Sequence, residues 1–121
     1  MSVNVLICDD SNLARKQVLR SLPENLSNNI QLATNGAEAL EILREQPTDV
    51  LFLDLTMPII DGVGVLQALK DEGIDLPVFV ISADIQPEMQ NRVMGLGARA
   101  FLRKPVQVDV LNENLKKHGL L

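Results

Sequence analysis

Aromatic residues are almost missing from this chain. It has no Trp, no Tyr and three Phe, 2% of the residues. The core must therefore be built from Leu, Val, Ile and Ala, and little is left to stack on a flavin ring. Cysteine is equally scarce. Cys8 stands alone, so no internal disulfide is possible. It lies inside an apolar run, where a single thiol reads as a small core residue rather than a nucleophile. Long apolar runs are lacking too. No segment reads as a membrane span, and the short N-terminal run has no basic stretch before it to make a signal peptide. These absences lead us to expect a soluble cytoplasmic protein with no membrane partner. Positive charge is in deficit: eleven Lys and Arg stand against sixteen Asp and Glu, a net charge of −5. That argues against a nucleic-acid surface within this chain.

What is present is alternation. The chain has 121 residues and is 46% hydrophobic, which suits one domain with one good core over residues 1–121. Val3–Cys8 reads as a strand, and Ser11–Leu22 as a helix with Ala14, Val18 and Leu22 at spacing four. A polar loop through Asn25–Asn29 leads to a short strand, Ile30–Ala33, whose weak pattern suits a sheet edge. Asn35-Gly36-Ala37-Glu38 has the form of a capping box, opening a helix to about Glu45 before Pro47.

Asp49–Asp54 is a strand without polar alternation, so buried on both faces. Gly62–Glu72 is a helix with Val65, Leu66 and Leu69 inward and Gly73 as its C-cap. Pro77–Ser82 is another apolar strand. Pro87 opens a helix with Met89, Val93 and Leu96 inward. Arg99–Arg103 is a second edge strand, and Pro105–Lys117 a last helix with Val108, Leu111 and Leu115 inward. His118 falls to the solvent side near that helix's end. Five βα units imply an α/β fold, a parallel sheet covered by helices on both faces. The three strongly apolar strands belong inside it.

Chemistry gathers at the carboxyl ends of the strands, where open α/β sheets place their sites. Asp9-Asp10 follows the first strand, Asp54 the third, Ser82 ends the fourth and Lys104 follows the fifth. Carboxylates that converge repel one another unless a cation sits between them. Mg²⁺ suits such a site, being a hard ion held by one or two carboxylates with further oxygens. Asp10 and Asp54 can supply two ligands and the Thr56 carbonyl a third. Lys104 offers a fixed charge to an anion near Asp54, and Ser82 a hydroxyl. Together these meet the needs of phosphoryl transfer, which is mostly positioning and charge neutralisation. An aspartate can itself be the nucleophile, forming an acyl phosphate.

In these residues the chain resembles the CheY-like receiver domains of two-component response regulators. The likeness rests on Asp9-Asp10, on the Asp54–Gly62 pattern DxxMPxxDG, on Ser82-Ala83 after an apolar strand and on Lys104-Pro105. It implies a (βα)5 flavodoxin-like three-layer sandwich with a parallel five-stranded sheet of order 2-1-3-4-5, an order for which this same family is a standard example. It implies that Asp54 is the phosphoacceptor, that Asp9, Asp10 and Asp54 hold Mg²⁺, with Mn²⁺ able to substitute, and that Ser82 and Lys104 contact the phosphoryl oxygens. Phe101 takes the aromatic switch position, where Tyr is frequent, and the Lys104-Pro105 bond is expected to be cis. Thr56 and Asp84 occupy positions that tune hydrolysis.

The implied function is a phosphorylatable switch, not an enzyme in the ordinary sense. It would take its phosphoryl group from a histidine kinase or a histidine phosphotransfer protein. It would then change the surface around helix 4, strand 5 and helix 5 to control a protein target or a fused effector domain, as a monomer or a phosphorylation-dependent dimer. The competing reading is an aspartate-nucleophile phosphohydrolase. Such enzymes usually place a second Asp two residues after the nucleophile, where this chain has Thr56. A flavin carrier on the same sheet would meet repulsion from Asp9-Asp10 at its phosphate.

Overall fold

A computed structural model describes residues 3–121. Its strands are β1 (Asn4–Cys8), β2 (Asn29–Ala33), β3 (Val50–Leu53), β4 (Val78–Ser82) and β5 (Ala100–Arg103). Its helices are α1 (Asn12–Ser21), α2 (Gly36–Glu45), α3 (Gly62–Glu72), α4 (Pro87–Gly95) and α5 (Val108–Lys117), with a short 3-10 turn at Glu24–Leu26. The sheet has the order β2-β1-β3-β4-β5, and every pairing is parallel. This is the flavodoxin-like arrangement, with β1, β3 and β4 inside.

The two faces follow from the strand period. Successive side chains point to opposite sides, so Val5, Ile7, Phe52, Phe79 and Ile81 pack with Val18, Leu111 and Leu115 from α1 and α5. Leu6, Leu51, Leu53 and Val80 pack with Leu40, Val65, Leu66 and Val93 from α2, α3 and α4. The result is three layers. The scarce aromatics sit at the centre: Phe52 and Phe79 stack with ring centroids 5.7 Å apart.

Local signals set the helix ends. Ser11, Asn35 and Asp61 are N-caps, each accepting a hydrogen bond from a backbone N–H in the first turn. The Glu38 carboxylate reaches back to the Thr34 N–H and hydroxyl. Gly73 ends α3 with φ 68°.

Two sequence expectations are corrected here. The last helix starts at Val108, not Pro105, so Val108 opens the helix ahead of the Leu111–Leu115 stripe and is 50% exposed. His118 is not on the solvent side. It is half-buried, with its ring edge-on to Phe79 at 5.5 Å, because it continues the buried Leu111 and Leu115 stripe that packs with Phe79. Among the described residues no helix is long and apolar enough to cross a membrane.

Candidate functional site

Parallel pairing brings the strand ends to one edge. Asp54 N–H donates to the Cys8 carbonyl at 2.9 Å, and Lys104 N–H to the Ser82 carbonyl at 3.0 Å. These bonds tie Asp54 to the end of β1 and Lys104 to the end of β4. Asp9, Asp10 and Asp54 each have a carboxylate oxygen within 4.8 Å of the others. Asp9 and Asp54 are buried, whereas Asp10 is exposed. The Lys104 ammonium bridges the buried pair, 2.8 Å from Asp9 Oδ2 and 3.2 Å from Asp54 Oδ1.

The three acids differ in how they are held. Asp9 Oδ1 accepts from the Ser11 N–H at 2.9 Å, so Asp9 braces the β1–α1 turn as well as meeting Lys104. The Asp10 carboxylate has no hydrogen bond or ion pair among the described residues. Burial is the first cause that pushes the Asp54 pKa up, and the nearby Asp9 charge adds to it. Lys104 offsets only part of this. For Lys104 itself, burial favours the neutral amine, but the Asp9 hydrogen bond and the two carboxylate charges outweigh it and raise the pKa.

Lys104 is the one cation near the acids that the sequence singles out, but the structure adds another. Arg15 lies one turn into α1, and its Nη1 donates to the Asp9 main-chain carbonyl at 2.7 Å. A helical side chain runs back over the turn before it, which is the signal that could have found this arginine four residues after the cap. Cys8 behaves as a core residue. Burial first, then the Asp9 and Asp54 charges, push its thiol up to about 12. Its sulfur lies 3.3 Å from Met57 Sδ.

The remaining expected residues make no hydrogen bond or ion pair with the acids among the described residues. Ser82 is 1% exposed, and its hydroxyl accepts from the Asp84 N–H at 3.0 Å. Thr56 is exposed two residues beyond Asp54. Phe101 pairs with Val80 in register and packs half-buried against the α2–α3–α4 side of the core. It shares an open depression with Lys104, Pro105 and Val110. The Lys104–Pro105 peptide is cis.

The β3–α3 loop is pinned from two sides. Gly36 N–H donates to the Ile60 carbonyl at 3.0 Å, and a Cβ on Gly36 would fall on that carbonyl group. A Cβ on Gly62 would collide with the Asp54 carbonyl and Leu55. Between these clamps Ile59 adopts φ 70°, and Ile60 N–H donates back to the Pro58 carbonyl at 2.8 Å. A β-branched residue with positive φ is an outlier, not an ordinary turn residue.

Known proteins resemble this chain in sequence and in fold. The family model described as the response regulator receiver domain matches residues 5–116. The chain belongs to this family. Among curated relatives, the response regulator MprA of Mycobacterium ulcerans is 39% identical over 113 residues, 92% of this chain and 47% of that protein. The MprA of Mycobacterium tuberculosis is 38% identical over the same length. This receiver chain thus spans about half the length of the curated relatives it matches.

A Francisella receiver domain of response regulator 1452 superposes with TM-score 0.82 at 27% identity, covering 97% of this chain and 99% of that one. CheY of Borrelia burgdorferi, solved in complex with CheX, BeF3 and Mg²⁺, superposes with TM-score 0.86 at 29% identity, covering 96% of this chain and 88% of that one. Receiver domains are signalling switches rather than enzymes in the ordinary sense, and they bind Mg²⁺ through an acidic pocket. In this receiver domain Asp9, Asp10 and Asp54 form an acidic cluster.

Proposed function

We propose that residues 1–121 form one receiver domain that accepts a phosphoryl group on Asp54 with Mg²⁺ bound by Asp9, Asp10, Asp54 and the Thr56 carbonyl. The observation that carries this is the Lys104 ammonium set between two buried carboxylates, with a third carboxylate free within 4.8 Å. Even with the Arg15 guanidinium at the Asp9 main-chain carbonyl, one ammonium among three carboxylates leaves negative charge in excess, and the donors are all hard oxygens, which suits Mg²⁺ and also Mn²⁺. When bound, the ion supplies the charge neutralisation that a phosphoryl group in transfer requires.

An Asp54 oxygen attacks phosphorus, an acyl-phosphate bond forms, and the P–N bond of a phosphohistidine breaks, its imidazole taking up a proton. Lys104 and the Ser82 hydroxyl then meet the phosphoryl oxygens. The Ser82 hydroxyl, which accepts from the Asp84 N–H, keeps its own proton to donate; Ser82 moves toward the phosphoryl group, and Phe101 turns inward. The donor is a histidine kinase or a histidine phosphotransfer protein. The output is a changed surface over α4, β5 and α5, read by a protein target or a fused effector domain.

The domain acts in the cytoplasm as a monomer or a phosphorylation-dependent dimer, and itself binds no nucleic acid. It catalyses only its own phosphorylation and dephosphorylation. The BeF3 and Mg²⁺ held in the Borrelia CheY complex support this reading.

Acetyl phosphate with Mg²⁺ should add one phosphoryl group, seen by intact mass, and Asp54→Asn should abolish it. An adduct that persists in that variant refutes the assignment. NMR of the Phe101 ring should change on adding beryllofluoride, and an unchanged ring removes its switch role.

A further inference from the structure

We propose that Arg15 is a positioning residue of the acidic site: by holding the Asp9 main-chain carbonyl, it fixes the Asp9–Asp10 peptide and so aims the Asp10 carboxylate. This rests on the Mg²⁺-dependent reading of the site. Every polar group of Asp9 is occupied. Its N–H donates to the Ala33 carbonyl at 3.0 Å, Oδ1 accepts from Ser11 N–H at 2.9 Å, and Oδ2 meets Lys104 at 2.8 Å. Its carbonyl accepts from Arg15 Nη1 at 2.7 Å. Asp10 has none of this support. It is exposed, and its carboxylate meets no donor among the described residues.

The link between the two residues is the peptide plane. A trans peptide is rigid, so the direction of the Asp9 carbonyl also sets the direction of the Asp10 N–H and Cα. Arg15 therefore helps to fix the backbone from which the otherwise unheld Asp10 side chain projects. Its own orientation is secured by a second contact, Nη2 to Asn12 Oδ1 at 3.3 Å, which uses the planar fork of the guanidinium. A lysine at this position keeps the charge but not the fork.

Charge alone would act in the opposite sense. A cation beside a metal pocket opposes a second cation, so an arginine that mattered only through its charge would weaken Mg²⁺ binding, and Arg15→Lys would leave that binding unchanged. Positioning predicts that Arg15→Lys binds Mg²⁺ more weakly, by about tenfold, as is typical when a residue that orients a metal ligand is lost.

The experiment is an NMR amide titration with Mg²⁺ on wild type, Arg15→Lys and Asn12→Ala, alongside acetyl phosphate labelling at low and saturating Mg²⁺. We expect a raised Kd for Mg²⁺ in Arg15→Lys and a smaller rise in Asn12→Ala. Labelling of Arg15→Lys should be slow at low Mg²⁺ and restored at saturation. An unchanged or tighter Kd in Arg15→Lys overturns the proposal, and so does a lowered melting point with the Kd intact. Should Arg15→Lys not fold, Asn12→Ala decides in the same way. A wild type that takes neither Mg²⁺ nor a phosphoryl group sinks the reading of the site itself, and the wild-type arm alone reports that.

Discussion

The two ends of the sheet treat charge and backbone differently. At the carboxyl ends of the strands, Lys104 is shared by two buried carboxylates, with Asp10 close by. At the far end, where α2 and α3 finish, Arg44 meets Glu72 one to one through two hydrogen bonds of 2.7 Å, in the open. The backbone differs likewise. Gly36 and Gly62 allow close approach at the site end, whereas Gly73, Gly95 and Gly97 have nothing near them. One end is satisfied, and the other holds unbalanced charge and a loop in a costly conformation. Binding can relieve such imbalance, so the frustrated end is the one able to respond to a ligand.

The largest expected effect is relief of that imbalance. Mg²⁺ at one hundred times its dissociation constant should add about 2.7 kcal/mol, roughly 8–14 °C in melting temperature for a domain of this size. Circular dichroism is the suitable probe, since the chain lacks Trp and Tyr. Without metal, Asp54→Asn should melt higher than wild type, because burial and Asp9 disfavour the Asp54 charge only in the folded state.

The sign follows from linkage. A carboxyl with a raised folded pKa penalises the folded state at pH above that pKa. The penalty fades as pH falls towards the ordinary value of 3.8. The advantage of Asp54→Asn should thus be full at neutral pH and gone below that value. A wild-type midpoint unmoved by Mg²⁺, or an Asp54→Asn variant that melts lower, would mean that the acids do not act as one site.

Next comes the loop clamp. Gly36→Ala should cost about 1–3 kcal/mol, since its Cβ must displace the Ile60 carbonyl. Gly95→Ala, with open space around it, should cost nothing measurable. Equal melting points for the two variants would erase the difference between the ends. A smaller effect of opposite sign is expected at Ile59. Its side chain is 79% exposed, so little packing is lost on substitution. Ile59→Gly should stabilise the fold by roughly 0.5–1 kcal/mol, the left-handed penalty less the extra entropy of glycine. A lower midpoint for Ile59→Gly would mean that the loop carries no such strain.

Much of this is legible in the sequence, for reasons of periodicity. Helix α3 is readable to its ends, Gly62–Glu72, because Asp61 caps one end and Gly73 takes a positive φ at the other. Asp9, Asp10 and Asp54 are readable because each follows a strand with no polar alternation. The parallel order then carries all three to one rim.

Most of what escapes has no periodic signature. Arg15 looks like any charged residue on a helix surface, and only its reach back to the Asp9 carbonyl sets it apart. Ile59 escapes because side-chain type argues against the φ it adopts. Val108 is misplaced because a helical stripe cannot say where the first turn begins, and His118 because its polarity hid a place on the Leu111 and Leu115 stripe.

The smallest effect is expected at the satisfied end. Arg44 and Glu72 form a two-point contact, yet both are substantially exposed, and exposed pairs contribute little after side-chain ordering and screening. The Arg44 hydrogen bond is the main cause lowering the Glu72 pKa. A depressed folded pKa means that the contribution is present above the ordinary value of 4.5 and is lost as pH falls through the folded value. Arg44→Ala and Glu72→Ala should therefore each lower the midpoint slightly at neutral pH and low salt. The double variant should fall no further than the single ones suggest. The difference from wild type should close in about 1 M salt, where the screening length is only about 3 Å. If Arg44→Ala instead melts below Gly36→Ala, and salt does not close the gap, then the far end is not merely a satisfied surface. The two ends would then differ in degree and not in kind.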